Sequence, residues 1–312
     1  MEEILEYPSA RVEIKALCEL DSRRNVAFIA LEWSSIVLAA YLSQKFFNPI
    51  TYFLTVFWIG SRFHALGILM HEAAHYRLFK SRRIGDIVGN VFLAWPITLT
   101  VQGYRNEHLA HHQNLNTAQD PDWDTTDRFF QFPKNMKQMV SVLVQNSVAI
   151  GFIYGIVHER ETEVEDKIPL SLRLSQMAFV TTVIGSSIAF GFWKILILYW
   201  GVPLLTSLLL FDYVRAVAEH YGLSYSSDLS NSRNTTGSFL ETFLIAPYNV
   251  GLHLDHHLHP GVPWYNLRKL HAVLSRDPVY KKGAHNTTDG YVVGVMNECT
   301  RVPAGFQDGE QP

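Results

Sequence analysis

What this chain lacks narrows it first. Only two of its 312 residues are cysteine, Cys18 and Cys299, near opposite ends and outside any CxxC pair. That excludes a disulfide framework and fits two free thiols on a reducing, cytosolic side. Charged residues make up 18% of the sequence, below the roughly 25% of an ordinary soluble domain. The net charge is −3 and there is no polybasic arm, so nothing points to a nucleic-acid partner. No GxGxxG dinucleotide fingerprint occurs, and no flavin signature. No cleavable signal peptide is expected, because Glu2, Glu3, Glu6, Arg11 and further charges up to Arg24 leave no apolar stretch there. Internal repeats and low-complexity tracts are absent.

What is present is apolar: 48% hydrophobic and 13% aromatic. Four stretches come near the about 20 apolar residues that a transmembrane helix needs, at 26–43, 51–70, 177–198 and 202–217. A fifth, 139–157, is interrupted by Ser141, Gln145, Asn146 and Ser147. Beyond about Gly283 the chain turns polar. The sequence therefore reads as one domain over 1–312, with a core at about 26–275, an N-terminal segment at 1–25 and a polar tail at 284–312.

Eight of the fourteen histidines fall in three short runs: His71-Glu-Ala-Ala-His75, His108-Leu-Ala-His111-His112 and His253-Leu-Asp-His256-His257. Spacings of three and four put imidazoles on one helix face, one turn apart. Neutral imidazole is the commonest protein ligand for transition metals, so three such faces point to a metal centre. The first run alone is a literal HExxH, which would suggest a membrane zinc metalloprotease with Glu72 as base. A zinc site of that kind is complete with three protein ligands, which leaves the other runs unexplained.

One shared centre requires all three runs on one side of the bilayer. An even number of crossings must then separate the second run from the third. Segments 177–198 and 202–217 supply two, with the turn placed at Trp200-Gly-Val-Pro203 and 139–157 left interfacial or partly buried. Arg77, Lys80, Arg82, Arg83, Arg105, Arg128, Lys134 and Lys137 crowd the histidine side, while Lys45 is alone opposite. By the positive-inside rule both termini and all histidine runs are expected to face the cytosol. The sequons at Asn234 and Asn286 are then coincidental. Glu32 and Arg62 fall about 9 and 12 Å from the same membrane face at 1.5 Å per residue, a depth match that suggests an ion pair.

The order HxxxH, HxxHH, HxxHH resembles the membrane fatty acid desaturase and hydroxylase superfamily, and within it the bacterial-type fatty acid desaturases. The flanks fit as well: Asp120-Pro-Asp122, Asn249 and His259-Pro-Gly-Val-Pro263. The resemblance implies an all-α integral membrane fold, with four transmembrane helices and a cytosolic helical cap holding a histidine-ligated di-iron site. It implies two iron ions (Fe2+/Fe3+) bound by His71, His75, His108, His111, His112, His253, His256 and His257. A further ligand often ends the last span, where His220 fits. Glu72, Glu107, Asp255 and Glu219 would orient the imidazoles, Asp255 above all because it lies inside the third run. His64 is expected in the core, His158, His271 and His285 at the surface, and His259 beside the ligands.

The implied reaction is O2-dependent desaturation of a fatty-acyl or related lipid chain. A hydroxylase or ketolase of the same superfamily, acting on a carotenoid, a lipid or a small amino-acid-derived metabolite, is the alternative. An acyl chain could run among residues such as Phe57, Trp58, Phe92 and Trp95. Electrons must come from a separate donor of ferredoxin or cytochrome b5 type, for which Arg77, Lys80, Arg82 and Arg83 offer a basic docking patch.

Overall fold

A computed structural model of the chain describes residues 8–122, 128–150, 153 and 168–300. The helices are α1 (Pro8–Leu17), α2 (Ser22–Lys45), α3 (Pro49–Ala74), α4 (Arg82–Gly89), α5 (Val101–Asn114), α6 (Met136–Ser147) and α7 (Leu170–Ala189). There follow α8 (Trp193–His220), α9 (Phe239–Leu244), α10 (His253–Leu258), α11 (Leu267–Leu274), α12 (Pro278–Gly283) and α13 (Met296–Thr300). The helical expectation holds, with one addition: β1 (Asn234–Thr235) and β2 (Asn286–Thr287) pair in parallel. The chain divides into two compact units where a single domain was expected. One comprises Met1–Leu20, Ala110–Val144 and Tyr213–Pro312, the other Asp21–Leu109 and Gln145–Asp212.

In the second of these units α3 is the central helix. Asn48 and Thr51 close a capping box at its start, and Pro49 occupies the first turn, where a missing N–H costs nothing. From Ile59 to Ala74 nearly every residue is buried. Gly60 lets α8 approach: a Cβ there would lie 2.1 Å from Ser207 Oγ, which donates to Val56 O at 2.7 Å. Against α2, the anticipated ion pair is present. Arg62 Nη1 sits 3.3 Å from Glu32 Oε1, both side chains buried. The guanidinium also donates to Ser61 Oγ and lies over the Trp58 ring.

Among the described residues three helices are long and apolar enough to cross a membrane: α2, α3 and α8. A fourth candidate is the pair Arg82–Ile97 and Val101–Asn114, bent by 88°. The turn expected at Trp200–Pro203 is helical instead. A π-helical turn at Ile197–Gly201 leads into Pro203, which sits in the first turn of the helical stretch that follows, where its missing N–H costs least. The break between α7 and α8 falls at Phe190–Phe192, where Gly191 takes a φ of 76° and ends α7 with N–H bonds back to its last carbonyls. The stretch 139–157 begins within α6, whose twelve residues end at Ser147 and are too few to span. The rest of that stretch beyond Ile150, apart from Ile153, lies outside the described residues, as does the acidic run 159–166.

The other unit packs α1, α10, α11 and α12 around Leu254, Leu267, Leu270, Leu274 and Tyr280. Residues 284–300 are not a polar tail. Strand β2 pairs with β1, Cys299 is fully buried, and Glu298 binds Arg233. Their polar side chains find partners within the fold, which composition alone does not reveal. The sequon residue Asn234 is equally committed, its buried amide donating to Asp255, Tyr280 and Asn286.

Glu32→Gln and Arg62→Gln should each lower the melting temperature in detergent, because each strands a buried charge at a cost of about 3–5 kcal/mol. The double replacement Glu32→Leu/Arg62→Met should cost less than either. Unchanged melting in both single variants would show that the pair contributes nothing.

Candidate metal centre

Two helices deliver histidines at their C-terminal ends. The last turn of α3 carries His71, and His75 follows as its cap. A helix C-terminus leaves carbonyls without intrahelical donors. Arg105, on α5, supplies them: its Nε bonds Ala74 O at 3.0 Å and its Nη2 bonds Ala73 O at 2.8 Å. Asp86 holds the same guanidinium at 2.5 Å, and Tyr76 lies beneath it. Fastening α5 there brings His108, three residues on, against the first run. His108 Nε2 is 2.9 Å from His75 Nε2, and the ligand nitrogens of His71, His75 and His108 all lie within 4.8 Å of one another. Burial, then the charges of Arg77 and Arg105, holds His75 down at about 4, so it is neutral at ordinary pH.

In the other unit His220 ends α8, and His253 and His257 lie one turn apart on α10. With His111 they form a quartet whose ligand nitrogens lie within 4.8 Å of one another. His220 Nε2 and His257 Nε2 approach His253 Nε2 at 2.8 and 3.1 Å. His112 stacks on His257, and its Nε2 is 3.2 Å from His256 Nε2. Arg233, wholly buried, does for α8 what Arg105 does for α3. It donates to the carbonyls of Ala218 at 2.8 Å and Tyr221 at 3.1 Å, and Glu298 balances its charge at 2.9 Å. All nine expected ligand residues thus fall within histidine clusters.

The carboxylates divide differently from the expectation. Asp120, buried, accepts from His111 Nδ1 at 2.8 Å and is itself fixed by the N–H groups of Asn116 and Asp122. That bond holds the Nδ1–H tautomer and leaves Nε2 as donor to a metal. Burial opposes protonation of His111, but the bond to Asp120 and the charges of Asp122 and Glu219 outweigh it and raise its pKa. Glu219 lies 3.4 Å from His253 Nδ1, and Glu72 3.8 Å from His71 Nδ1. Glu107 is exposed.

Asp255 does not orient a ligand imidazole. It binds His271 Nδ1 at 2.8 Å, Asn234 at 2.9 Å and the Tyr280 hydroxyl, which ties α10 to α11 and α12. His271 is therefore a structural partner, not a plain surface residue. So is His285, which bonds Glu298 at 2.7 Å. His64 is buried in the core as expected, 3.4 Å from Asp212. His259 is half-buried, and His158 lies outside the described residues. Arg105 and Arg233 escaped sequence reasoning because a lone arginine carries no periodicity. Asp120 stood in a noted motif, and its spacing of nine from His111 was the available signal.

The residues fit metal ions. Four pairs of Nε2 atoms face each other at 2.8–3.2 Å. Two nitrogens each about 2.1 Å from one cation, at right angles, are about 3 Å apart. An all-imidazole donor set suits iron, copper, nickel or zinc. Nine histidines are too many for one zinc, and a protease site would leave six of them without a role.

A family model described as Fatty acid desaturase matches residues 47–288. Dihydrorhizobitoxine desaturase of Bradyrhizobium elkanii is 28% identical, the match covering 91% of this chain and 85% of that protein. The sn-1 acyl-lipid omega-3 desaturase (ferredoxin) of Nostoc sp. (strain 36) is 23% identical, over 88% and 79%. The sn-1 oleoyl-lipid 12-desaturase of Arthrospira platensis is 24% identical, over 83% and 74%.

Asp120→Asn keeps the shape and weakens the carboxylate's grip on the His111 tautomer. It should reduce metal retention against a chelator by about 10–100-fold with near-normal melting. Equal retention would remove Asp120 from the site.

Proposed function

Since the chain belongs to the fatty acid desaturase family and is a membrane oxidoreductase of that type, we propose that it is an O2-dependent di-iron desaturase of a fatty-acyl or related chain. His71, His75, His108, His111, His112, His220, His253, His256 and His257 hold two iron ions, the quartet holding one of them. The observation that carries this reading is the facing of imidazole Nε2 atoms at metal-ligand separations in both units. Four membrane spans, α2, α3 and α8 with the twenty-residue α7 taken as the fourth in place of the bent pair, put both termini and the histidines on the cytosolic face. The cluster of Arg77, Lys80, Arg82 and Arg83 after α3 supports that orientation.

Removing hydrogen from an unactivated methylene is beyond any side-chain acid or base, and bound iron supplies the activation of dioxygen. The chain's own residues position and exclude. Arg105 and Arg233 fix the helix ends that present the histidines. Asp120 sets a tautomer. The apolar spans receive the substrate chain and keep water from the reacting carbons. Each turnover converts a CH2–CH2 unit and O2 into CH=CH and two waters, and so takes two electrons and two protons from outside. The donor is a separate protein, and a ferredoxin is the first class to try because the Nostoc relative bears that word in its name.

A second reading of the substrate has one observation in its favour: the 28% identical relative is named for dihydrorhizobitoxine and not for an acyl lipid. Product mass decides. Membranes expressing the chain, supplied with O2 and reduced ferredoxin, should yield acyl chains lighter by two hydrogens. Products heavier by one oxygen would indicate a hydroxylase, and unchanged acyl chains with turnover of a small polar metabolite would favour the second reading.

A further inference from the structure

The helix stop just after His75 is built on an unusual residue. The N–H of Arg77 bonds back to Glu72 O at 2.6 Å, and that of Tyr76 to Ala73 O at 3.1 Å. Those two bonds make a common helix ending, in which the first residue past the cap takes a left-handed backbone and is usually glycine. Here that residue is Tyr76, at a φ of 58°. A Cβ strains this conformation, and a bulky residue held in it is an outlier with a local cause. Such outliers cluster at functional sites, where the surroundings over-determine them.

The cause is the ring. Two guanidinium groups stack on it, Arg105 with Cζ 4.1 Å from the ring centroid and Arg82 at 4.4 Å. Arg105 is buried and Arg82 exposed, so the Arg105 contact is the stronger, being out of water. Four hydrogen bonds leave the edge of the Arg105 guanidinium, to Ala73 O, Ala74 O, Gln102 and Asp86. Edge bonds place a planar group within its plane, and an aromatic ring against its face sets the tilt. Arg82 and Asp86 both belong to α4, so the stack also ties that helix to the end of α3.

Two expected ligands feel this stack. Tyr76 follows His75 directly. Arg105 stands one helix turn before His108 on α5, and the carbonyls it holds belong to the two residues before His75. A tilt of the guanidinium would therefore change the 2.9 Å separation of His75 Nε2 and His108 Nε2. Glycine in place of Tyr76 would make the less strained helix stop and would leave Arg105 its four edge bonds. What glycine cannot supply is the ring.

We propose that Tyr76 is a positioning residue of the metal centre: its ring, stacked on Arg105, holds His75 and His108 at the separation that one metal ion requires. This role rests on the histidines holding metal, as the proposed function has them do.

The test uses the full chain in detergent, stripped of metal and reloaded without oxygen with Co2+ alone or Fe2+ alone. Retention of each ion against a chelator is measured for the native chain, Tyr76→Phe and Tyr76→Gly, beside the melting temperature of the metal-free samples. In Tyr76→Gly one ion should be held about ten-fold less well, the low end for loss of a group that orients a ligand. The ion of the quartet His111, His220, His253 and His257 should be held as in the native chain. Melting should stay near the native value, because glycine relieves the backbone as the stack is lost. Phenylalanine keeps an aromatic face for the guanidinium, so Tyr76→Phe should retain both ions. Native retention in Tyr76→Gly would overturn the proposal. Equal weakening of both ions would do so too, since that is the mark of a looser fold. So would a loss in Tyr76→Phe as large as in Tyr76→Gly, because the hydroxyl and not the stack would then matter. The two metals separate the two levels: a native chain that takes up Co2+ but no Fe2+ would count against the di-iron function, and the Co2+ series would still decide the role of Tyr76. A native chain that binds neither metal would overturn both.

Discussion

Everything chemical in this molecule depends on how two helices end. A helix terminates in carbonyls that no residue of its own can satisfy, and a buried terminus without donors is costly. Here α3 and α8 end inside the protein, each carrying a histidine of the proposed centre in its last turn. Arg105 and Arg233 are inserted as donors, and Asp86 and Glu298 hold those arginines. The same contacts fix where the imidazoles point. The negative end of each helix dipole thereby lies at the histidines of its own unit, where it would favour a cation.

The rest of the site follows from neutrality. Metal ligation needs imidazoles without a proton on the donating nitrogen. Burial and the crowding of neighbouring imidazoles depress His253, and burial with two nearby guanidinium groups depresses His75. His111 is treated in the opposite way, through Asp120. Asp120 fixes the proton of His111 on Nδ1 and leaves Nε2 free to donate, while His75 and His253 are held neutral.

Much of this was legible in the sequence, and the limits have physical causes. The histidine runs were visible because a helix repeats every 3.6 residues, so ligand faces leave a spacing. His220 was visible because it ends an apolar run. The Glu32–Arg62 pair could be anticipated because depth in a membrane is a ruler along the chain. The break at Gly191 was misplaced because Trp200-Gly-Val-Pro203 has turn composition, whereas a π-helical turn carries that sequence within a helix. Asp255 was assigned to the ligands by proximity in sequence, but its side chain leaves α10 on another face toward His271 and Tyr280. Residues 284–300 read as a tail since their partners, Arg233 and Thr235 among them, lie fifty and more positions away.

The central claim is that these histidines hold two irons. Metal analysis of the detergent-purified chain, beside His253→Ala/His257→Ala, tests it most directly. The account predicts about two irons per native chain, with at least one lost in the variant. About one zinc per chain, unchanged by loss of His253 and His257, would contradict it.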